Sequence, residues 1–318
     1  MAEWVIRQAT PADVPGILDT LRSALGETPL LQRTADLWAW KHEHNPFGHS
    51  LVLVAAKDGV IAGVRAMMRW EITTRGGETL KCLRPVDTAT HPDFLRQGIF
   101  RELTMSAIEQ ARSERVHLVF NTPNEKSAPG YLQMGWQKVA DIGVMIRPRL
   151  GRAVSPLPDR PPSIAHVAPG LEPAPHMVLS DETPWRDPMG LRTPRTGAYI
   201  RWRFTAHPTA SYGFLEEEGG GILVARANWR GGTSELVLSD LLGAGQGSIR
   251  RVARTSKARY LAGWFSPSTP ERRTAILAGM IPVPKSTLRL VAMPLVDLDV
   301  DVFDLASWDL TTSDLELL

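Results

Sequence analysis

Apolar residues recur at two different spacings along residues 1–120, and these spacings predict alternating helices and strands. Residues 3–9 predict a first strand. Thr10 then suits the N-cap of a helix whose first turn contains Pro11. The apolar stripe of that helix consists of Ile17, Leu18, Leu21 and Leu25. A second helix is predicted from Gly98 to about Arg115, with a buried face formed by Phe100, Leu103, Ala107 and Ala111.

Strands are predicted on both sides of the second helix. Three β-rich runs precede it and one short apolar run follows it, at residues 50–56, 60–69, 79–90 and 116–120. Turn signals separate the first three runs, at Asp58-Gly59 and at Gly76-Gly77. The order strand, helix, strands, helix, strand predicts a mixed α/β fold for this half of the chain.

A proline-rich stretch divides the chain. Eight prolines lie from Pro148 to Pro175, where little periodic pattern is found. Proline removes a backbone donor and disfavours helix at the preceding residue. The sequence therefore predicts a first domain at residues 1–147, a linker at 148–176 and a second domain at 177–318.

The second half repeats features of the first in the same order. Trp40 is followed by a cation and, six residues on, by a proline, and Trp202 has the same neighbours. A hairpin pattern, an Arg-Gly-Gly turn, a strand with an aspartate and a leucine–glycine corner follow in each half. The aspartates are Asp87 and Asp240, and the corner glycines are Gly135 and Gly279. Because these features share one order, they predict an internal duplication.

Composition narrows the class of protein. The chain has 318 residues, a hydrophobic fraction of 43% and a formal net charge of +2, so a dedicated nucleic-acid binder is not favoured. Its single cysteine, Cys82, excludes an internal disulfide and a multi-cysteine metal site. The first residues do not resemble a secretory signal, and no apolar run is long enough to span a membrane. We expect a cytoplasmic protein without a metal.

A candidate anion site precedes the second helix. The strand before it ends at His91-Pro92, a short basic loop follows, and Gly98 opens the helix. The first N–H groups of a helix lack internal partners and attract anions, and Arg96 and Arg101 add positive charge. The glycine spacing is neither that of a Walker loop nor that of a dinucleotide fingerprint.

These residues resemble motif A of the GNAT superfamily of N-acyltransferases. The strand, the His-Pro corner and the central Gly98 match the family pattern, whereas Leu95 stands for Arg or Gln and Phe100 for Gly or Ala. Residues 6–13 resemble the family's opening strand and helix. Asn124 and Tyr131 have its Asn-to-Tyr spacing, and residues 131–136 resemble its Tyr-x-x-x-Gly-Phe corner. The resemblance covers roughly residues 3–147.

The resemblance implies two GNAT-like domains of mixed α+β fold, each a mostly antiparallel mixed sheet flanked by helices. It implies acetyl-CoA, or another acyl-CoA, as co-substrate of the first domain. A primary amine would attack the thioester directly, with Tyr131 as general acid for the departing thiolate. The implied cofactor-binding residues are Thr88, Ala89, Thr90, Leu95, Arg96, Gln97, Gly98, Ile99, Phe100, Arg101 and Asn124. Among them, the backbone of Thr88, Ala89 and Thr90 would also hold the oxyanion.

The general base is left open by the sequence. Asp87 is a candidate base, a candidate anchor for a substrate cation, or a strand-end residue that caps a turn. Glu71 is a second candidate, His42 and His91 have suitable ordinary pKa values, and many family members use a water chain instead. Trp38 is the preferred acceptor-site residue, whereas Trp40 is interpreted as a core residue.

The second half lacks this chemistry. Glycines follow Asp240, but no His-Pro corner precedes them, and Ala275 stands where Tyr131 is expected. We therefore expect a degenerate second domain and an N-acyltransferase, most simply an N-acetyltransferase, that acts on a small-molecule or peptide amine, without nucleic acid or membrane as partner. The alternatives are a non-catalytic acyl-CoA sensor or scaffold, suggested by Leu95 and Phe100, and a nucleotide-binding protein that uses the same loop.

Overall fold

The computed structural model describes residues 4–28, 32–148, 163–177, 179–181, 185–230 and 233–315, with the backbone alone at 284–287. Its contacts divide the chain into two compact units. The first consists of Met1–Ile72, Glu78–Ala140 and Arg289–Phe303, and the second of Thr73–Gly77, Asp141–Leu288 and Asp304–Leu318. The predicted domains are continuous in sequence, whereas residues 289–303 belong with the N-terminal unit. Residues 149–162 of the predicted linker lie outside the described residues.

Both units contain strands and helices. The strands are β1 Val5–Gln8, β2 Leu51–Lys57, β3 Val60–Thr73, β4 Thr79–Thr90, β5 Leu118–Asn121, β6 Gln137–Pro148, β7 Tyr212–Glu216, β8 Ile222–Arg230, β9 Thr233–Leu242, β10 Tyr260–Gly263 and β11 Ile281–Pro294. The helices are α1 Val14–Leu25, α2 Ala35–His42, α3 Ile99–Ser113, α4 Ala128–Gln133, α5 Ile164–Val167, α6 Gly197–Ile200, α7 Gln246–Thr255, α8 Pro270–Leu277 and α9 Thr312–Leu315. Single 3-10 turns lie at Pro11–Asp13, Pro92–Phe94 and Leu305–Ser307, and a π-helical turn at Arg201–Thr205 continues α6.

The sheet of the first unit has the strand order β1-β2-β3-β4-β5 and ends with the C-terminal part of β11. β1, β2 and β3 pair antiparallel, β4 and β5 pair parallel, and β11 pairs antiparallel with β5. Leu53 packs in the cluster that contains α3, and Val52 and Val54 in the cluster that contains α1, as side-chain alternation along a strand requires. The predicted mixed sheet flanked by helices is confirmed.

β4 and β5 separate at the point where the site begins. Cys82 pairs with Leu118 and Leu83 with Val119, and within the described residues no pairing with β5 continues beyond Leu83. β4 nevertheless runs on to Thr90. These strands therefore leave a gap between the second half of β4 and the end of β5.

Helix α3 starts close to β3. A Cβ atom at position 63 would lie only 2.5 Å from Ile99 Cγ2, so the absence of a side chain at Gly63 allows this approach. Ile99 is buried, whereas the loop just before it is exposed. The close contact fixes the start of α3 against the sheet.

The second unit repeats this arrangement. Its strands follow the order β7-β8-β9-β10-β6, with antiparallel β7/β8 and β8/β9 pairs, a parallel β9/β10 pair and an antiparallel β10/β6 pair. Helix α7 connects the parallel strands, as α3 does in the first unit. Thr34 and Thr196 cap the helices that carry Trp40 and Trp202, and each threonine precedes its tryptophan by six residues. The predicted duplication is therefore confirmed at the level of topology.

Candidate functional site

The loop before α3 presents unpaired backbone donors. Gly98 caps the helix with φ of +88°, and Arg96 also adopts a left-handed φ of +63°. In the described part of the chain, no group accepts a hydrogen bond from the backbone N–H of Gln97, Gly98, Ile99 or Phe100. The loop from Leu95 to Gly98 is exposed. These donors at a helix N-terminus form an accessible anion site.

The two departures from the family loop have different structural consequences. Leu95 is 56% exposed and leaves the backbone of the loop accessible. Phe100 instead points inward and packs edge-to-face on Tyr131, with 5.8 Å between the ring centroids. A Cβ atom at position 130 would lie 3.0 Å from a carbon of the Phe100 ring, so Gly130 provides the space for this larger side chain.

Tyr131 is tied to β4 through an arginine that the sequence reasoning missed. Arg65 Nη1 donates to the Tyr131 hydroxyl at 2.8 Å and to Thr88 Oγ1 at 2.6 Å. The guanidinium carbon lies 5.1 Å from the centroid of the Tyr131 ring and 5.4 Å from that of Phe100. The Arg65 side chain is fully buried. One buried cation therefore holds the candidate acid and the candidate cofactor strand together.

Arg65 also fixes the direction of the Tyr131 hydroxyl hydrogen. A guanidinium can only donate, so the Tyr131 oxygen must accept and its own hydrogen points elsewhere. Thr88 uses its hydroxyl hydrogen on the carbonyl oxygen of Val86, at 3.1 Å. The signal in the sequence was a single cation inside the apolar run 60–68, which is unusual for a strand buried on both faces.

Asp87 is surrounded by two cations, Lys41 and Arg33, and by His42. Its Oδ2 atom lies 2.7 Å from Lys41 Nζ and 3.0 Å from His42 Nε2. Arg33 Nη1 lies 3.4 Å from Oδ1. Burial alone would raise the pKa of Asp87, but Lys41 and His42 outweigh it and hold the pKa well below its usual range. The residue has a φ of +38°, a conformation that an aspartate adopts rarely and that recurs at functional sites.

His42 is neutral and its tautomer is determined by its partners. Burial lowers the pKa of His42, and the hydrogen bond to Asp87 opposes that shift only in part. A carboxylate can only accept, so Nε2 carries the hydrogen and Nδ1 accepts from Ser50 Oγ at 2.9 Å. His42 is thus a buried link between α2 and β4.

A small open pocket lies beside Asp87. Its apolar wall consists of Leu18, Leu21, Leu37 and Trp38, from α1 and α2. Arg33, Lys41 and Asp87 form its charged part. Trp38, the predicted acceptor-site residue, therefore lines a pocket, and Trp40 is buried in the core.

Two further predicted residues, Asn124 and His91, accept hydrogen bonds from nearby backbone N–H groups. The side-chain oxygen of Asn124 accepts from the backbone N–H of Lys126 and Ser127, at 3.0 and 2.9 Å, and so caps the turn before α4. His91 Nδ1 accepts from the backbone N–H of Asp93 at the corner after β4.

Glu71 is not brought to the centre. It lies six residues from Arg65 along β3, a separation of about 20 Å at the rise of a strand. Burial raises its pKa, and Lys81 opposes the shift.

In the second unit the equivalent loop carries its own anion. The carboxylate of Glu217 accepts from the backbone N–H of Gly245, the N-cap of α7, at 3.1 Å, and from the hydroxyl of Ser248. Ala275, the expected counterpart of Tyr131, is buried. The N–H of the N-cap residue, which is unpaired before α3 among the described residues, is thus occupied before α7, which agrees with a degenerate second copy.

Among the described residues, no metal site lies beside these groups. The residues that the structure describes contain no group of three or more His, Cys, Asp or Glu side chains that could hold a metal ion. No described helix is both long and apolar enough to cross a membrane.

Comparisons with known proteins agree with this geometry. Residues 5–139 match the family model of the acetyltransferase (GNAT) domain. The comparison with curated proteins found no match.

Solved structures resemble the whole chain. One is a GCN5-related N-acetyltransferase from Anabaena variabilis, at 12% identity and a TM-score of 0.60, with 92% of this chain and 73% of that chain covered. A GCN5-related N-acetyltransferase from Kribbella flavida matches at 13% identity and a TM-score of 0.57, with 92% and 71% covered. Eis1 from Mycobacterium abscessus matches at 14% identity and a TM-score of 0.56, with 90% and 72% covered.

At these identities the similarity shows the fold alone. The family model matches residues 5–139, a range that contains the α3 loop and Tyr131. Residues 5–139 therefore match the acetyltransferase (GNAT) domain family in sequence.

Proposed function

We propose that the first unit is an acyl-CoA-dependent N-acyltransferase, most simply an acetyltransferase, in which a primary amine attacks the thioester directly. The observation that carries this proposal is the contact of Arg65 with both Tyr131 and Thr88. This contact links the strand segment that would hold the thioester to the Tyr131 hydroxyl, whose hydrogen is not used in the bond to Arg65.

The residues fit an acyl-CoA substrate. The unpaired N–H groups from Gln97 to Phe100 suit a diphosphate, with Arg96 and Arg101 as nearby positive charges. The gap between β4 and β5 suits the extended pantetheine arm, which would pair with the backbone of Thr88, Ala89 and Thr90. The NH2 group of Asn124 is the part of that side chain left for the same arm, because its oxygen accepts hydrogen bonds in the turn before α4.

The reaction balances with groups of this chain and water. The amine nitrogen bonds to the acyl carbon, and a backbone N–H of residues 88–90 stabilises the resulting oxyanion. The carbon–sulfur bond then breaks with its electron pair on sulfur. Tyr131 gives its hydroxyl hydrogen to that sulfur, the new amide releases its extra proton to water, and Tyr131 is reprotonated from solvent.

Asp87 is a poor base in this scheme. Its lowered pKa makes it a weak proton acceptor near neutral pH, and both of its oxygens already interact with cations. We assign Asp87 to holding Lys41 and His42 of α2 beside the acceptor pocket. The amine then enters as the free base or loses its proton to water.

The test is acyl transfer by the intact chain. Acetyl-CoA binding is measured by calorimetry, and thiol release is followed with a panel of primary amines. Binding together with amine-dependent thiol release supports the proposal. Binding without release by any amine would favour a non-catalytic acyl-CoA sensor, and ATP binding in competition with CoA would favour a nucleotide-binding protein.

A further inference from the structure

We infer that the pocket beside Asp87 takes an amine acceptor that carries a carboxylate on an apolar body, with the carboxylate bound by Arg33. An amino acid with an apolar side chain has this chemistry. The inference rests on the proposed function, because it names the acceptor class of the same site. It is carried by a comparison of two equivalent arginines within the chain.

Arg33 and Arg195 hold the same place in the two copies. Each directly precedes the threonine that caps the helix containing Trp40 or Trp202. Each also pairs with the aspartate on the strand that leads to the loop and the next helix. Arg33 Nη1 lies 3.4 Å from Asp87, and Arg195 Nε lies 2.6 Å from Asp240.

Arg195 holds a second carboxylate in addition. Its Nη2 and Nη1 atoms lie 2.6 and 3.0 Å from the oxygens of Asp314. The hydroxyls of Thr311 and Ser313 accept from Nη2 as well, at 3.0 and 3.2 Å. The second unit therefore fills this position with the acidic end of its own chain.

Arg33 has no equivalent of Asp314 in the described part of the chain. The nearby carboxylate of Glu27 accepts from the backbone N–H of Arg33 and lies 3.5 Å from Arg22 Nε, and no described interaction joins it to the Arg33 guanidinium. Arg33 instead lines the open pocket. A ligand carboxylate would occupy in the first unit the position that Asp314 occupies in the second.

The balance of positive and negative side chains also differs between the two copies, with fewer carboxylates in the first. Arg195 of the second unit pairs with two carboxylates, those of Asp240 and Asp314. Its counterpart Arg33 shares a single carboxylate, that of Asp87, with Lys41. His42 adds no charge, because burial keeps it neutral.

An unbalanced cation with little exposure is costly, and a bound anion removes that cost. Arg33 and Lys41 are 10% and 5% exposed in their side chains. The same excess charge disfavours polyamines as acceptors, since like charges repel across a partly buried site. The apolar side chains of Leu18, Leu21, Leu37 and Trp38 line the same pocket and favour an apolar group next to the carboxylate.

The test compares ligands that differ only in the carboxylate. L-phenylalanine and 2-phenylethylamine are used as acceptors at equal concentrations of unprotonated amine. Separately, 3-phenylpropionate and 3-phenylpropanol are titrated into the acetyl-CoA-bound protein by calorimetry. We expect kcat/KM to be at least about tenfold higher for phenylalanine than for 2-phenylethylamine. We also expect 3-phenylpropionate to bind at least about tenfold tighter than the alcohol. In each pair only the carboxylate can form a charged hydrogen bond with Arg33.

Variants locate the effect. Arg33→Gln should bring both ratios close to one, and Arg33→Lys should retain part of each. Arg7→Gln is the control, because it also removes an arginine from a carboxylate pair of the first unit, here the exposed pair with Asp13, and should leave both ratios unchanged.

The outcomes separate the inference from the function on which it rests. If both ratios are close to one in the wild-type protein, the inference is overturned, while amine acylation stands. Selective phenylpropionate binding without acylation of any amine keeps the carboxylate site and overturns the acyltransferase proposal. Failure of phenylpropionate to bind overturns the inference without recourse to any variant.

Discussion

The Arg65 guanidinium lies 2.8 Å from the Tyr131 hydroxyl, and the two residues are 66 positions apart in sequence. A buried arginine next to a buried tyrosine is costly for folding unless all of its donors are satisfied. Within the described residues, Nε and Nη2 of Arg65 have no hydrogen-bond partner. The pair is therefore better explained by the role that we propose for Tyr131 than by stability.

Replacement of Tyr131 by Phe should lower kcat by about 10²- to 10⁴-fold, because the departing thiolate loses its proton donor. The dissociation constant of acetyl-CoA should remain within about twofold. Thiol-release kinetics and calorimetry measure the two quantities. Tyr212→Phe is the matched control, since the Tyr212 hydroxyl also accepts from an arginine, Arg203, at 2.7 Å but lies in the second unit. Unchanged kcat in Tyr131→Phe would remove this residue from the mechanism.

Replacement of Arg65 by Met should reduce kcat at least about tenfold while the protein becomes no less stable. Methionine has a similar length and removes a buried charge with unsatisfied donors, a change that is often neutral or stabilising by about 1–4 kcal/mol. Thermal unfolding and kcat are measured on the same preparation, and Arg65→Lys should recover part of the activity. A lower melting temperature with wild-type kcat would instead identify Arg65 as a structural residue.

Gly98→Ala should weaken acetyl-CoA binding. Alanine at a φ of +88° costs about 1–2 kcal/mol, yet the nearest atom to a new Cβ would be 3.9 Å away, so the fold should survive. The methyl group would occupy space over the N–H groups of the loop. Gly170→Ala is the control, because Gly170 has a φ of +95° and open space around it in the second unit. Both variants should lose similar stability; equal acetyl-CoA affinity in both would argue against the loop as the phosphate site.

The stability of the protein should fall with pH below the ordinary His pKa of about 6.5, in part through His42. Its folded pKa is lowered, so in this range the unfolded state binds the proton and the folded state does not. The free energy of unfolding is then lost at up to about 1.4 kcal/mol per pH unit until the folded pKa is reached.

Denaturant titrations from pH 5 to 7.5 check this slope, with His42→Gln as the comparison. Asp87 contributes in a different window: its lowered pKa gives stability that is complete above its ordinary value near 4 and is lost below it. A slope that is the same in His42→Gln and in the wild-type protein would contradict the assignment to His42.

Local patterns were sufficient to predict most of the first unit. The predicted strand at 79–90 is observed as β4 with the same ends, and the helix predicted from 98 to 115 is observed as α3, Ile99–Ser113. These elements are determined by side-chain periodicity and by glycine turns, which act over a few residues. The duplication could be predicted from the sequence because both halves keep such local signals in the same order.

The partners of the site residues were not predictable in this way. Asp87 meets Lys41 and His42 from a helix about 45 residues earlier. Arg65 looked like one cation in an apolar strand until the fold placed it between Tyr131 and Thr88. Such contacts depend on the packing of distant elements, and periodicity along the chain carries no information about them.

The assignment of residues 289–303 to the first unit has a consequence for biosynthesis. The edge of β5 is covered by β11, where Val291 pairs with Asn121, and that segment is translated only after the whole of β7 to β10. A nascent chain that ends before residue 289 therefore exposes the edge of β5, a state prone to wrong strand pairing. The first unit is complete only when the chain has been translated through residue 303.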